Sequence, residues 1–244
     1  MPSRFIDTLL ASPLPVVMEV KRRTAEGVEL MGDRPIPEIV SEYLAAGAPC
    51  ISVVTGRWFG GDDSMLEEVA GLTDVPLLKK DFIVRESQIA AAKEMGASAI
   101  LLTARILPKG PFQKLIETTL SHELTPFVEV ADHEELDSVV HAENCIVAVN
   151  NKDIREQERG EGDIDLSRSL LEATIATGTP CPVSASAITD PQVAAELVDA
   201  GFKGLLIGTG LLQSGSVQGW IDDFERHRSA LADAKAPTGR GESR

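Results

Sequence analysis

The stretch PLLKKDFIVRESQIAAAKEMGASAILLT, residues 76–103, contains one complete strand–helix–strand unit. Its ends, Pro76–Lys80 and Ala99–Thr103, are short apolar runs of the kind found in strands that are buried on both faces. Between them, Glu86–Met95 carries apolar side chains at helical spacing, and Gly96 follows as a helix stop. Because parallel neighbouring strands need a crossover connection of this length, the stretch predicts a parallel sheet covered by helices.

The same alternation continues through the rest of the chain. Six further apolar runs predict strands: Val16–Lys21, Cys50–Thr55, Pro126–Val130, Cys145–Asn150, Cys181–Ser186 and Gly204–Gly208. Six further amphipathic runs predict helices: Pro35–Ala46, Pro111–Leu120, His133–His141, Leu166–Ala176, Pro191–Ala200 and Val217–Leu231. An open doubly wound sheet has fewer strands and a glycine-rich first turn, and the sequence contains neither GxGxxG nor GxxxxGK[ST]. The prediction is therefore a single-domain α/β protein, a (β/α)8 TIM barrel.

The two ends of the chain differ from this repeat. Phe5–Ala11 predicts one short N-terminal helix, so that residues 1–231 form the barrel domain. The last residues, 232–244, are rich in glycine, proline and charge, and this composition predicts a disordered tail.

Composition narrows the classes of function. The chain has 23 Lys and Arg against 38 Asp and Glu, a net charge of −15, which argues against binding to nucleic acid or to anionic membranes. Three cysteines without a CxxC motif indicate reduced thiols and a cytoplasmic location. No apolar run approaches the ~20 residues of a membrane helix. No two of the four histidines have HxxxH spacing, and we expect neither a metal nor a cofactor.

Polar side chains are concentrated where the predicted strands end, which is where TIM barrels place their chemistry. Alternation puts Glu19 and Lys21 on one face of the first strand. The same alternation adds Lys80, Phe127 with Glu129, Ala148 with Asn150 and Lys152, and Ser184 with Ser186. Two lysines and two carboxylates in one cleft can exchange protons with a substrate. A free lysine has a pKa of about 10.4, and a second cation nearby lowers it, a role that the two lysines could serve for each other.

The segment LLIGTG, residues 205–210, predicts an anion site. Gly208 and Thr209 open a short turn whose backbone N–H groups are exposed, and barrels often hold phosphate after strands seven and eight. Ser186 and Ala187 at the end of strand seven complete this site. The residues alone therefore predict a barrel enzyme that acts on a phosphorylated small molecule by acid–base chemistry without a metal.

Six segments together carry a family resemblance: VVMEVKRRTAEG (16–27), ISVVTGRWFGG (51–61), PLLKKDFIVRESQI (76–89), FVEV (127–130), VAVNNKDI (147–154) and LLIGTG (205–210). From about Phe5 to about Gln213 the chain resembles the indole-3-glycerol phosphate synthase family of tryptophan biosynthesis, as a somewhat divergent member. The resemblance implies a carboxy-lyase that converts 1-(2-carboxyphenylamino)-1-deoxyribulose 5-phosphate into indole-3-glycerol phosphate by ring closure, decarboxylation and dehydration.

The same resemblance implies roles for individual residues. Lys80 is the general acid that protonates the ketone oxygen, and Glu129 is a base or stabilises charge on the aromatic intermediate. Glu19 and Lys21 serve the dehydration, and Asn150 holds Glu19 or a substrate hydroxyl. The implied substrate contacts are Ser186, Lys152 and Thr24, with Phe59, Phe82, Leu101 and Phe127 around the aromatic ring. The implied phosphate contacts are Ala187, Gly208 and Thr209.

Several positions depart from the family pattern. Ala185-Ser186-Ala187 stands where the family has Glu-Ser-Gly, and an alanine at 187 disfavours a positive φ. Lys152 stands where the family has arginine. A lysine keeps the positive charge but cannot make the two parallel hydrogen bonds that a guanidinium makes to a carboxylate. Three functions stay open: a working synthase, a paralogue that uses the same apparatus on a different aryl-amino sugar phosphate in specialised metabolism, and a non-catalytic ligand-binding barrel. The expected partner is a phosphorylated small molecule, and the expected state is a monomer or weak homo-oligomer.

Overall fold

A computed structural model describes residues 3–152 and 162–235. Eight parallel strands form a closed barrel in chain order, and the eighth strand pairs with the first. The strands are β1 (Val16–Val20), β2 (Cys50–Val54), β3 (Leu77–Lys80), β4 (Ala99–Thr103), β5 (Thr125–Val130), β6 (Ile146–Asn150), β7 (Cys181–Ala185) and β8 (Gly204–Ile207). The predicted (β/α)8 fold is confirmed, and each strand lies within one residue of its predicted bounds.

Helices follow the strands and cover the outside of the barrel. They are α1 (Arg4–Ala11), α2 (Ile36–Ala45), α3 (Asp63–Leu72), α4 (Glu86–Glu94), α5 (Lys109–Ser121), α6 (His133–Leu136), α7 (Ile164–Ala176), α8 (Pro191–Ala200), α9 (Thr209–Leu212) and α10 (Val217–Lys235). Short 3-10 turns lie at Arg57–Phe59, Ala104–Ile106 and Ala142–Asn144.

Helices α3, α6 and α10 differ most from the prediction, and α5 and α7 each begin two residues earlier than predicted. Helix α3 was not predicted, although Met65, Leu66 and Val69 bury one helical stripe within it. Helix α6 was predicted to continue to His141 but ends at Leu136, and His141 adopts a φ of 55°, which a right-handed helix cannot contain. Helix α10 continues to Lys235, four residues beyond its predicted end and into the predicted tail. The rest of that tail, residues 236–244, lies outside the described residues.

The core has two layers, as expected for strands with helices on one side and barrel interior on the other. Inward-facing side chains fill the barrel, and helix α1 closes its N-terminal end with Phe5, Ile6 and Leu9. The rings of Phe5 and Phe127 meet edge to face with centroids 6.5 Å apart. Phe127 is therefore packed in the barrel core, two residues deeper than Glu129, and its contact with the substrate ring stays a prediction.

Replacement of Phe5 tests whether α1 is an integral part of the core. Phe5→Ala removes a fully buried ring and its contact with Phe127, so we expect the free energy of unfolding to fall by about 3–5 kcal/mol. Leu10→Ala is the matched control, because Leu10 lies on the same helix with 43% of its surface exposed. Denaturant titration should show a change of no more than ~0.5 kcal/mol for that control. Equal effects of the two replacements would contradict the assignment.

Candidate active site

Four charged side chains form a chain of alternating sign inside the C-terminal mouth of the barrel. Glu19, on β1, is 2% exposed. Its Oε1 lies 3.5 Å from Lys21 Nζ, and its Oε2 lies 3.8 Å from Lys80 Nζ on β3. Lys80 Nζ also lies 4.0 Å from Glu129 Oε1 on β5. Each of these charges therefore has an opposite charge beside it. Such pairing offsets the free-energy cost of removing charged groups from water.

This arrangement differs from the expected pairing of the two lysines with each other. Lys21 and Lys80 face opposite oxygens of the same carboxylate, so Glu19 separates them. An ammonium group placed between two carboxylates can give a proton to a substrate, and either carboxylate can accept one.

Neutral side chains hold the two carboxylates in place. Ser52, which pairs with Glu19 in the β1–β2 register, donates a hydrogen bond to Glu19 Oε2 at 3.4 Å. Asn150 donates from Nδ2 to Glu129 Oε2 at 3.4 Å, whereas we had expected it to hold Glu19 or a substrate hydroxyl. The backbone N–H of Lys152 donates to Asn150 Oδ1 at 3.1 Å and fixes that amide. Ser52 was missed because it lies within an apolar run, although its alternation with Cys50 marks an inward side chain.

Helix α2 also contributes to the position of Glu19. Tyr43 is buried and donates its hydroxyl to the backbone carbonyl of Glu19 at 2.9 Å. Burial raises the pKa of Tyr43 well above its ordinary value, with a smaller contribution from the nearby carboxylate of Glu19. The hydroxyl therefore remains a donor, and it ties the end of β1 to the helix layer.

A cleft of about 460 Å³ runs from these charged groups to the ends of β7 and β8. It brings together most of the residues predicted to touch the substrate or its phosphate. These are Thr24, Lys152, Ser186, Ala187, Gly208 and Thr209, beside Glu19, Lys21 and Lys80. Glu26 also borders the cleft and adds an acidic group on the side of Thr24.

The backbone comes close to the charged groups where β8 ends. A Cβ atom on Gly208 would lie 2.5 Å from Glu19 Oε1, so any side chain at this position would displace the Glu19 carboxylate. Gly210 has a similar restriction, because its Cβ would lie 2.5 Å from the carbonyl oxygen of Ile188. Helix α9 begins between these glycines, so the end of β8 presents backbone to the cleft where larger side chains would block it.

The end of β7 reaches the cleft in a different way from the predicted one. We had expected Ser184 to share an inward face with Ser186. Ser184 instead faces α7, where its Oγ lies 2.7 Å from Ser167 Oγ and accepts a hydrogen bond from Asn151 Nδ2 at 3.1 Å. Ala185 is the inward residue of the strand. Ser186 enters the cleft because the chain turns there with a φ of 69°.

Ala187 continues this turn with a φ of 59°. We had expected the alanine methyl group to disfavour such a conformation, but the chain adopts it, at a cost of about 1–2 kcal/mol. A glycine, Gly162, faces the methyl group of Ala187. A Cβ on Gly162 would lie 2.6 Å from Ala187 Cβ, so position 162 requires glycine while position 187 is alanine.

Apolar side chains lie beside Lys80 on the opposite side of the mouth. Phe59, Phe82 and Leu101 border a narrow crevice there together with Lys80. Phe59 belongs to the turn after β2, and its ring centroid lies 5.5 Å from Lys21 Nζ, within the range of a cation–π contact. Phe82 is 40% exposed and can be covered by a bound ring.

The lysine preceding Lys80 has a separate structural role. Lys79 points outward from the barrel and is 3% exposed. Its Nζ donates to Thr55 Oγ1 at 2.8 Å, contacts the Asp63 carboxylate and lies 3.8 Å from Asp81 Oδ2. These contacts fasten the loops after β2 and β3, which carry Phe59 and Phe82. Only alternation along the strand distinguishes the two adjacent lysines.

Within residues 3–152 and 162–235, no group of three or more His, Cys, Asp or Glu side chains could hold a metal ion. The helices of the same ranges include none that combines the length and the apolar character needed to cross a membrane.

The strained turn at Ala187 gives a test by substitution. Ala187→Gly should raise the free energy of unfolding by up to about 1 kcal/mol, because relief of the positive φ exceeds the entropy gained by the unfolded chain. Ala185→Gly, two residues earlier in β7, should lower it by about 1 kcal/mol, since an inward, fully buried methyl group is lost. Urea titration of both variants measures the difference, and a loss of stability in both would contradict the strain.

Comparison with known proteins agrees with this geometry. The family model described as indole-3-glycerol phosphate synthase matches residues 2–224. The indole-3-glycerol phosphate synthase of Bacteroides thetaiotaomicron is 34% identical over 201 residues, which cover 82% of this chain and 75% of that protein. The tryptophan biosynthesis protein TrpCD of Archaeoglobus fulgidus is 38% identical over 158 residues, or 64% of this chain. That match covers 28% of TrpCD, so the chain spans well under half the length of this relative.

A solved structure supports the fold independently. Thiamine phosphate pyrophosphorylase from Pyrococcus furiosus superimposes with a TM-score of 0.62 over 93% of this chain and 98% of that chain, at 15% identity. At that identity the likeness concerns the fold alone. The family model, in contrast, extends over nearly the whole sequence, and the chain belongs to the indole-3-glycerol phosphate synthase family.

Proposed function

We propose that the protein catalyses the reaction for which its family is named, the conversion of 1-(2-carboxyphenylamino)-1-deoxyribulose 5-phosphate into indole-3-glycerol phosphate, carbon dioxide and water. The observation that carries the proposal is the buried chain Lys21–Glu19–Lys80–Glu129 at the end of a cleft. It supplies two proton donors and two acceptors, of which Glu19, Lys21 and Lys80 border the cleft and Glu129 borders a small adjoining crevice.

Ring closure needs an acid at the ketone oxygen. As the ring carbon that bears the carboxylate attacks the ketone carbon, Lys80 gives its proton to the oxygen, which becomes a hydroxyl group. Glu129, 4.0 Å from Lys80 Nζ, stabilises the positive charge that develops on the ring and nitrogen. Loss of carbon dioxide then returns the bonding electrons to the ring.

Dehydration needs an acid for the departing hydroxyl group and a base for a proton. Lys21 and Glu19 are the pair proposed for this step, since they lie 3.5 Å apart and both border the cleft. The hydroxyl group leaves as water with the proton of Lys21, and Glu19 accepts the proton that the intermediate loses as the indole ring becomes aromatic.

The two ends of the cleft suit the two ends of this substrate. The phosphate is proposed to bind the backbone at Gly208 and Thr209 and at Ser186 and Ala187, all of which border the cleft. The aromatic ring is proposed to lie in the crevice of Phe59, Phe82 and Leu101 beside Lys80. Thr24 and Lys152 border the cleft as further substrate contacts, and Lys152 supplies a positive charge for an anionic group.

The proposal includes a cytoplasmic enzyme whose partner is this small molecule rather than nucleic acid or a membrane. The net charge of −15 supports the exclusion of anionic polymers and surfaces. The three cysteines are free and buried, as expected in a reducing compartment. Burial raises the pKa of both Cys145 and Cys181 to about 12, which keeps these thiols protonated and unreactive. A monomer or weak homo-oligomer is expected, and analytical ultracentrifugation measures it.

Adjacent lysines provide a test with an internal control. Lys80→Met should lower kcat by about 10³-fold or more, because it removes the proposed general acid. Lys79→Met changes the same side chain one residue earlier on the outer face. It should keep kcat within about tenfold while lowering the free energy of unfolding, since it breaks the contacts with Thr55 and Asp63.

The measurement is the fluorescence of indole-3-glycerol phosphate formed from the carboxyphenylamino substrate, with circular dichroism to verify that each variant is folded. Full turnover in folded Lys80→Met would overturn the site assignment. Absence of turnover in the wild-type protein would overturn the proposed function and favour a different aryl-amino sugar phosphate or a binding role.

The close approach of Gly208 to Glu19 gives a second test. Gly208→Ala places a methyl group 2.5 Å from the Glu19 carboxylate, so that this carboxylate must move. A displacement of about 1 Å in a catalytic group commonly costs about 100-fold in rate, and we expect a loss of that order in kcat/KM. Gly71→Ala is the control, because nothing lies within 4 Å of its Cβ in helix α3. The control should keep full activity and gain about 0.5–1 kcal/mol in stability. Equal activity of the two variants would contradict the contact.

A further inference from the structure

A buried hydroxyl group next to Glu129 has no role in the proposed reaction. Thr103 is the last residue of β4 and is 4% exposed. Among the residues that the structure describes, none offers a hydrogen-bond partner to its Oγ1, an atom that is fully buried. Because the great majority of buried hydroxyl groups have a partner, this exception needs an explanation.

The direction of the side chain points to the active site. Ala99 and Leu101 on the same strand pack inside the barrel, so alternation places Thr103 on the inner face as well. Thr103 pairs with Glu129 in the β4–β5 register, so their side chains are neighbours on that face. Leu101, two residues deeper, borders the apolar crevice proposed for the aromatic ring.

The space in front of the hydroxyl is small and polar. Thr103 borders a crevice together with Glu129, Asn150 and Lys152, with room for about one oxygen-sized group. Lys152 also borders the main cleft, so the crevice adjoins the substrate site. Arg105 borders it too, and its guanidinium contacts the carboxylates of Asp132 and Glu135 at the start of α6.

We infer that Thr103 is a substrate-binding residue whose hydroxyl donates a hydrogen bond to an oxygen on the aryl end of the substrate. The inference rests on the proposed function, because it needs a substrate with its ring beside Leu101. Two oxygens have the required chemistry: the carboxylate of the unsubstituted substrate, and a hydroxyl group on a substituted ring. A valine of the same shape would serve an entirely apolar ring pocket, so the threonine makes this position selective for a polar group.

Three variants test the inference. Thr103→Val removes the hydroxyl and keeps the shape, whereas Thr103→Ser keeps the hydroxyl. Thr118→Val is the matched control, because Thr118 on α5 has an equally buried Oγ1 without a partner among the described residues and borders none of the cavities described above. Each protein is assayed with the unsubstituted carboxyphenylamino substrate and with its ring-hydroxylated analogue, and its unfolding is followed in urea.

Thr103→Val should raise KM by about tenfold, a factor that corresponds to ~1.4 kcal/mol, with little change in kcat. Thr103→Ser and Thr118→Val should keep the wild-type KM. A higher KM for the unsubstituted substrate identifies its carboxylate as the acceptor, and a higher KM for the hydroxylated analogue alone identifies the ring substituent. The midpoint of unfolding should stay equal or rise in Thr103→Val, since a buried hydroxyl without a partner is lost.

Two results would overturn the inference: an unchanged KM for both substrates in Thr103→Val, or a lower unfolding midpoint, which would show that the hydroxyl has a structural partner. The wild-type protein separates these results from a failure of the proposed function. If wild type turns over neither substrate, the proposed function is overturned, and the inference with it. If wild type is active, only the inference is at stake.

Discussion

A buried carboxylate is the constraint on which the mouth of this barrel depends. Glu19 is almost completely removed from water, and a charge in that position must be compensated by neighbouring groups. Lys21 and Lys80 compensate it from two sides, and Ser52 adds a hydrogen bond. Gly208 supplies the remaining space by having no side chain. One carboxylate therefore links β1, β2, β3 and β8, and the closed barrel is what brings these four strands together.

Alternation along β3 gives its two adjacent lysines different surroundings. Lys80 points into the barrel between two carboxylates, and Lys79 points outward to Thr55 and Asp63. The outward lysine still serves the site, because it fastens the two loops that present Phe59 and Phe82 to the mouth. Lys80 thus joins the buried chain of charges, and Lys79 holds the loops beside it, each from its own face of the sheet.

The sequence predicted the strands well because each strand is a short apolar run with helices on one side and barrel core on the other. The same alternation predicted which side chains of β1, β3, β5 and β6 meet. Alternation was less informative where a turn after the strand decides whether a side chain borders the cleft. Ser186, for example, reaches the cleft through a positive φ that no alternation specifies. Pairings within the site, such as Asn150 with Glu129, depend on strand stagger and could not be predicted.

The charged residues and the rim residues are under different physical constraints. Each member of the chain from Lys21 to Glu129 lies beside a buried opposite charge, so removal of one member weakens the compensation of its neighbours and costs stability. Thr103 borders the crevice and Ala187 borders the cleft, and neither side chain carries a charge, so a change at these two positions alters what binds without unbalancing the four charges. Ala187 is one of the positions that depart from the family pattern, whereas another, Ala185, is fully buried in the barrel core. The buried charge pairs are therefore constrained by one another, whereas the uncharged positions around them are not, which is the condition under which the proposed proton-transfer groups persist while the bound substrate changes.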